Sequence, residues 1–218
     1  MKKIGILCAT HREFSPYVPT IQNGNVEEYA MHSFYMGKIA GIEVVAVYSG
    51  CGKINASITA QILIDRYQVD AIIFSGIAGG MKEEIKVFDT VVCTASVFHD
   101  TNHEIYTDFP ILDEPVFYAD ESLISLAQKT AERINRQIHF GIATTGDRFV
   151  EPIHPEALCI DMETAAVAHA CYLSQVPFLA IRSISDNTIE AGQEAINRNY
   201  DQAVHQSYQF VCELLREM

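Results

Sequence analysis

The chain has 218 residues, 49% of them hydrophobic, and carries a formal net charge of -13. Length and apolar content support a folded chain with a sizeable buried core rather than a disordered one. The acidic balance disfavours a sequence-independent nucleic-acid binder and a protein drawn to anionic membranes; a neutral or cationic small molecule is the compatible partner.

The first segment, "KIGILCA" (3–9), reads as a buried strand. Its apolar part is about six residues, shorter than the ~7–15 of a secretory leader, and His11, Arg12 and Glu13 end it. "EVVAVYSG" (43–50) is a second strand, closed by Gly50 and Gly52. "INASITAQILIDRYQV" (54–69) has helical spacing that puts Ile54, Ile58, Ile62 and Tyr67 or Val69 on one face. "DAIIFSGIAGG" (70–80) is a fully apolar strand running into glycines, and "DTVVCTASVF" (89–98) is another strand. "ESLISLAQKTAERINRQ" (121–137) is an amphipathic helix. "IHFGIATTG" (138–146) is a strand, "METAAVAHACYLSQ" (162–175) a helix and "PFLAIRSISD" (177–186) a last strand. "NYDQAVHQSYQFVCELLREM" (199–218) closes the chain as a helix. No stretch approaches the roughly 18 consecutive apolar residues of a membrane-spanning helix.

No linker, low-complexity tract or repeat divides the chain, so residues 1–218 are expected to form a single domain. The six cysteines, Cys8, Cys51, Cys93, Cys159, Cys171 and Cys212, are scattered and form no CxxC pair. They read as buried free thiols of a reducing compartment, which points to the cytoplasm.

Apolar strands alternating with helices argue for an α/β fold around a mostly parallel sheet covered on both faces. In such sheets a ligand sits beyond the carboxyl ends of the strands. The residues there are Glu13, Gly50-Cys51-Gly52, Gly76 to Gly80, Gly146-Asp147 and Asp186, with Glu163 close by at a helix start.

Three carboxylates stand out. Asp186 ends an apolar strand, where partial desolvation would raise its pKa and suit it to act as a general acid; a turn or cap role is the plainer alternative. Glu13 follows a strand and could deprotonate water, or could simply be a solvated charge at a helix start. Glu163 sits among Ala and Val in "IDMETAAVAHA", where a buried charge needs a partner. Arg182 could supply one, and so could the paired hydroxyls of a sugar. Asp161, two residues earlier, reads as a helix cap or solvated partner. The glycines of Gly76–Gly80 permit close backbone approach to a ligand, but many turns need glycine only for positive φ. The stretch is neither a P-loop nor a GxGxxG motif.

The segments "KIGILCATHRE", "SGCGKINAS", "SGIAGG", "DTVV…FHD", "GIATTGDRFV", "IDMETAAVAHAC" and "VPFLAIRSISD" occur in an order and at spacings that resemble the 5'-methylthioadenosine/S-adenosylhomocysteine nucleosidases of the nucleoside phosphorylase superfamily. The resemblance spans nearly the whole chain. It implies a three-layer α/β/α sandwich around a central mixed, mostly parallel β-sheet, in a homodimer. It implies hydrolysis of the N-glycosidic bond of a 5'-substituted adenosine, in methionine salvage, with no metal or cofactor. By the same resemblance Asp186 protonates adenine, Ser185 orients Asp186, and Glu13 activates water. Glu163 binds the ribose 2'- and 3'-hydroxyls with the Met162 backbone and Arg182. Val150 presents its backbone to the adenine edge and Phe149 stacks on the ring. Ala78 and Ile77 line the glycine turn, and Met162 and Cys51 lie near the 5' end of the sugar. The 5' pocket would draw on Phe98, Ile105, Tyr106, Phe109 and Pro110, some from a partner chain, with Ile196 or Tyr200. His99 and Asp100, in "FHD", match a family position with either a structural or a site role.

Two departures from the family pattern bear on function. Relatives often carry acidic residues before the catalytic glutamate, as in "AMEEE", where this chain has "ATHRE". Arg12 would lower the Glu13 pKa if the two side chains face each other, or could bind an anion, as arginines of phosphorylases do. Ile77 replaces a small hydroxyl residue common in relatives, which argues against phosphate and for water. The alternatives to a nucleosidase are a hydrolase of a related nucleoside such as futalosine, a phosphate-dependent phosphorylase, or a non-catalytic nucleoside binder. Retention of Glu13, Glu163 and Asp186 together speaks against the binder.

Overall fold

Along the central strands, neighbouring residues enter two different cores. In β1 (Lys3–Cys8), Leu7 joins one apolar cluster while Ile4, Ile6 and Cys8 join the other. Strand side chains leave alternately on opposite faces, so a sheet covered on both sides requires apolar residues at nearly every position. The structure is a computed structural model that describes residues 3–148, 154–187 and 192–218.

After β1 come a one-turn helix α1 (His11–Phe14) and strands β2 (Gln22–Tyr29), β3 (His32–Ile39) and β4 (Ile42–Tyr48). Helix α2 (Lys53–Asp65), strands β5 (Ala71–Gly80), β6 (Thr90–Phe98) and β7 (Val116–Tyr118), and helix α3 (Glu121–Arg133) follow. The chain continues through β8 (His139–Thr145), β9 (Ala157–Asp161), α4 (Thr164–Ser174), β10 (Phe178–Asn187) and α5 (Gln193–Arg216).

The strands form one mixed sheet in the order β10-β6-β8-β9-β5-β1-β4-β3-β2, with β7 on β6 and a further pairing of β10 with β5. Strand β10 is parallel to β5 and antiparallel to β6, so this end of the sheet curls closed. Helices α2 and α4 cover one face, burying Ala56, Ala60, Leu63 and Val167 against Phe74 and Ala180. Helices α3 and α5 cover the other, burying Leu123, Phe210 and Leu214 against Ile73 and Ile181. This is the expected three-layer α/β/α arrangement.

Several elements differ from the sequence-based expectation. The β2–β3 hairpin carries little apolar alternation, because β2 is an almost wholly exposed edge strand with no core face to bury. Strand β9 is only five residues long and abuts a helix, so periodicity does not separate the two. Helix α5 begins at Gln193, before the expected Asn199. In α2 the buried residues are Ala56, Thr59, Ala60 and Leu63, while Ile54 is 76% and Ile58 51% exposed. Small residues let α2 lie close to the sheet and α4, and the isoleucines turn outward. Among the described residues no helix is long and apolar enough to cross a membrane.

Candidate active site

Glu13 is fixed by local geometry first. Thr10 stands in extended conformation (φ -123°, ψ 158°) and caps α1, and a reciprocal capping box joins it to Glu13. The carboxylate is 3% exposed. Its Oε2 accepts from Ala9 N (3.0 Å), Thr10 N (2.8 Å) and Thr10 Oγ1 (3.2 Å), and its Oε1 accepts from Ile77 N on β5 (2.8 Å). Burial raises its pKa; Arg182 and the hydrogen bonds from Ile77 and Thr10 oppose that rise. Arg12 takes no part. Its guanidinium meets Asp201 at 2.7 Å and lies 4.0 Å from the Tyr200 ring centre. Arg12 therefore does not face Glu13, against the expectation that it depresses that carboxyl: consecutive helical residues point apart.

Arg182 is fully buried on β10. Its Nε donates to Asp161 Oδ2 at 2.8 Å, and Nη2 lies 2.8 Å from the same oxygen, 3.6 Å from Glu163 Oε2. Nη1 is 4.0 Å from Glu13 Oε1. Asp161 is thus not solvated, as the sequence allowed, but 4% exposed at the end of β9. It does cap, accepting from the backbone of Glu163 and Thr164 (both 3.1 Å), and takes the Thr145 hydroxyl at 2.6 Å. Burial alone would raise the Asp161 pKa, but Arg182 and the hydroxyls of Thr145 and Thr164 together hold it below the usual carboxylate range.

Glu163 occupies the position before α4 and is 5% exposed. Its Oε1 accepts from Gly52 N at 2.7 Å. Burial and the neighbouring Asp161 charge push its pKa up to about 7, against the pull of Arg182 and the Gly52 amide. Gly76 makes this gathering possible. A Cβ there would lie closer than 3.0 Å to both Arg182 Nη1 and Glu13 Oε1. Its φ is not positive, so the glycine serves space, not turn geometry.

Asp186 is aimed by a β-bulge. Ile184 pairs with Ala78 and Asp186 with Gly79, leaving Ser185 as the extra residue of β10. Ser185 Oγ donates to Asp186 Oδ1 at 2.7 Å, and the Ser185 carbonyl is held by Asn199 Nδ2 of α5 at 2.9 Å. Partial burial raises the Asp186 pKa, with the Ser185 hydroxyl opposing. Glu13 hangs on Ile77 and Asp186 pairs with Gly79, so their anchors are two residues apart on β5, about 7 Å along one face.

The structure therefore gathers Glu13, Ile77, Ala78, Glu163, Arg182, Ser185 and Asp186 at one rim, with Met162 between Asp161 and Glu163. Ile77 contributes its backbone amide to Glu13, a role its side chain does not announce. Cys51 is exposed, beside Gly52, and its pKa is raised by burial and by Glu163 and Glu13. Phe149 and Val150 lie outside the described residues. His99 is 2% exposed, its Nδ1 meets Thr144 Oγ1 at 3.1 Å and its Nε2 the Arg148 carbonyl at 2.9 Å, so both ring nitrogens have partners within the fold. Asp100 pairs with Lys53 at 2.9 Å and accepts from Asp147 N at 2.8 Å. Phe98, Tyr106 and Pro110 are buried, the first two in an aromatic cluster with Phe117 and His169, whereas Ile105 (52%) and Phe109 (71%) are exposed. Periodicity misses Thr145 and Asn199; a hydroxyl at a strand end and an amide on an apolar helix face are the faint signals they leave.

A carboxyl whose pKa partial burial raises, a carboxylate held by four donors and a third beside a buried guanidinium are the groups needed to donate a proton, accept one and bind hydroxyls. Comparisons with known proteins agree with that chemistry. A family model described as the phosphorylase superfamily matches residues 3–216. A 5'-methylthioadenosine/S-adenosylhomocysteine nucleosidase of Bacillus anthracis is 32% identical over 231 aligned positions, covering 99% of both chains. The structure of such a nucleosidase from S. pneumoniae, with a transition-state inhibitor, superposes with a TM-score of 0.88 at 30% identity over 99% of each chain. Futalosine hydrolase of Helicobacter pylori superposes at TM-score 0.90 and 26% identity, over 100% of this chain and 98% of that one.

Proposed function

The chain belongs to the 5'-methylthioadenosine/S-adenosylhomocysteine nucleosidase family of the phosphorylase superfamily, and from that premise we propose how its residues hydrolyse the N-glycosidic bond of a 5'-substituted adenosine. The products are adenine and a 5'-substituted ribose. Asp186 gives its proton to the five-membered-ring nitrogen of adenine, which turns the base into a neutral leaving group. As the bond breaks, positive charge builds on the ribose ring. Glu13 takes a proton from the attacking water, and its negative charge lies where that positive charge develops. Glu163 accepts the ribose hydroxyls, with Arg182 behind it and the Met162 backbone alongside.

The observation that carries this reading is the Glu13 carboxylate. It is buried, fixed by three backbone amides and one hydroxyl, and anchored two residues along β5 from the Asp186 pairing. Water is the acceptor: the cation that favoured phosphate, Arg12, is engaged by Asp201.

The protein works as a cytoplasmic homodimer in methionine salvage. Exposed Ile54 and Ile58 on α2 and Tyr172 and Leu173 on α4 support a partner on that face. Exposed Ile105 and Phe109 suit a 5' pocket completed by the partner chain.

The test is adenine release from 5'-methylthioadenosine in phosphate-free buffer, then with phosphate added. Release without phosphate, yielding free methylthioribose, supports the reading. Release only with phosphate overturns the choice of water. Release from futalosine alone overturns the substrate.

A further inference from the structure

The "ATHRE" segment docks on α5 through three contacts. Thr10 Oγ1 lies 2.6 Å from the Tyr200 hydroxyl, Arg12 stacks 4.0 Å over the Tyr200 ring, and Arg12 pairs with Asp201 at 2.7 Å. Thr10 is already a donor to Glu13, but Tyr200, Arg12 and Asp201 have no step in the mechanism above.

The proton order follows from counting donors. Thr10 has one hydroxyl hydrogen, which goes to Glu13 Oε2 at 3.2 Å, and its oxygen accepts from Glu13 N at 3.2 Å. Tyr200 must then donate to the remaining lone pair. The chain runs Tyr200 O–H to Thr10 O–H to the Glu13 carboxylate, every hydrogen pointing at the negative charge. Such a line of donors polarises itself and favours the ionised carboxylate.

We propose that Tyr200 is a positioning residue for Glu13, acting through Thr10 to keep the buried carboxylate ionised and correctly turned. The inference rests on Glu13 as the catalytic base. Burial and the nearby Glu13 charge push the Tyr200 pKa up, so the phenol remains a donor at working pH. Arg12 and Asp201 hold the ring in place from the solvent side. The other charged or titratable groups facing Glu13 are Arg182 from β10, Cys8 from β1, Cys51 ahead of α2 and Glu163 ahead of α4. Arg182 favours the ionised form. Glu163 opposes it, which leaves the Thr10–Tyr200 pair with something to offset.

The test uses the full-length protein with Tyr200→Phe, which keeps the ring under Arg12, and with Thr10→Val and Thr10→Ser. In Tyr200→Phe the acid limb of kcat/KM should move up by about half a pH unit, roughly a threefold loss on that limb. The shift should be confined to the acid limb, with the loss fading as pH rises. Thr10→Val should shift the limb at least as far, with no further shift on adding Tyr200→Phe; Thr10→Ser should restore it. An unmoved limb in Tyr200→Phe, or an equal loss at every pH, overturns the proposal. Carbon-13 titration of the Glu13 carboxyl without substrate, using Glu13→Gln to assign the signal, separates the two claims. If Glu13→Gln still turns over, Glu13 is not the base, yet a moved carboxyl titration in Tyr200→Phe would still support the relay.

Discussion

Arg182 holds Asp161 more closely than Glu163: its Nη2 lies 2.8 Å from the Asp161 oxygen and 3.6 Å from that of Glu163. The short contact goes to Asp161, the carboxylate given no part in the proposed reaction. Glu163 is left with one amide and a distant guanidinium, a buried acceptor with capacity to spare for a diol.

Removing either member of the close pair should cost the fold heavily. Asp161→Asn or Arg182→Met removes the shortest of the buried charge pairings, leaving Arg182 only Glu163 and Glu13 or leaving three carboxylates without their cation, and about 3–5 kcal/mol of stability should go with it. The loss is read by urea denaturation at pH 7. The Asp161 pKa is depressed in the folded chain, so its contribution is present above the unfolded value and fades as pH falls through the folded one. Asp161→Asn should therefore cost least in acid.

Glu163→Gln should trade function for stability. The folded pKa of about 7 lies above the ordinary 4.5, so the wild-type group favours folding fully below the unfolded value and loses that as pH rises through about 7. The neutral variant should gain as much as about 3 kcal/mol over wild type at pH 8 and nothing near pH 4. Its affinity for a nucleoside carrying both hydroxyls should fall, with a much smaller effect on a 2'-deoxy analogue. In the wild type, KM for the diol should rise as pH drops below about 7, because a protonated carboxyl accepts poorly. Equal losses on both nucleosides would remove Glu163 from the diol.

Asp186→Asn should reduce kcat by about two to four orders of magnitude with the melting temperature held, since the amide offers no transferable proton. Turnover near the wild-type rate would exclude Asp186 as the acid.

Glu13→Gln should bind an unreactive nucleoside analogue tightly, by calorimetry, and fail to hydrolyse substrate. Loss of binding with residual chemistry would make Glu13 a positioning group instead.

Gly76→Ala should damage the site without touching the substrate. The added methyl meets Glu13 Oε1 and Arg182 Nη1 inside contact distance, so one must move. Activity should fall by roughly a hundredfold or more, as expected for an approximately ångström-scale displacement of a catalytic group. Retained activity would show that the pair can shift without consequence.

Much of this architecture is legible in the sequence alone. The apolar runs of β1, β5 and β10 could only be buried strands, and the α/β layering follows from their alternation with helices. Glu13, Glu163 and Asp186 were visible because a carboxylate at the end of an apolar run asks for an explanation. Strand β9 and the β2–β3 hairpin were not visible, one too short for its period to register and the other too exposed to carry one.

The linear order of residues determined which acids stand at strand ends and which segments must be buried, because hydrophobic period and local capping are properties of near neighbours. Tertiary structure alone decided that Arg182 takes Asp161 as its close partner, that Ile54 and Ile58 face outward, that Arg12 turns to α5, and that Gly76 leaves room for two charged side chains. Those outcomes depend on distances between residues far apart in the chain and on how much water surrounds them. Coulomb energy varies with both, and neither is written in a spacing pattern.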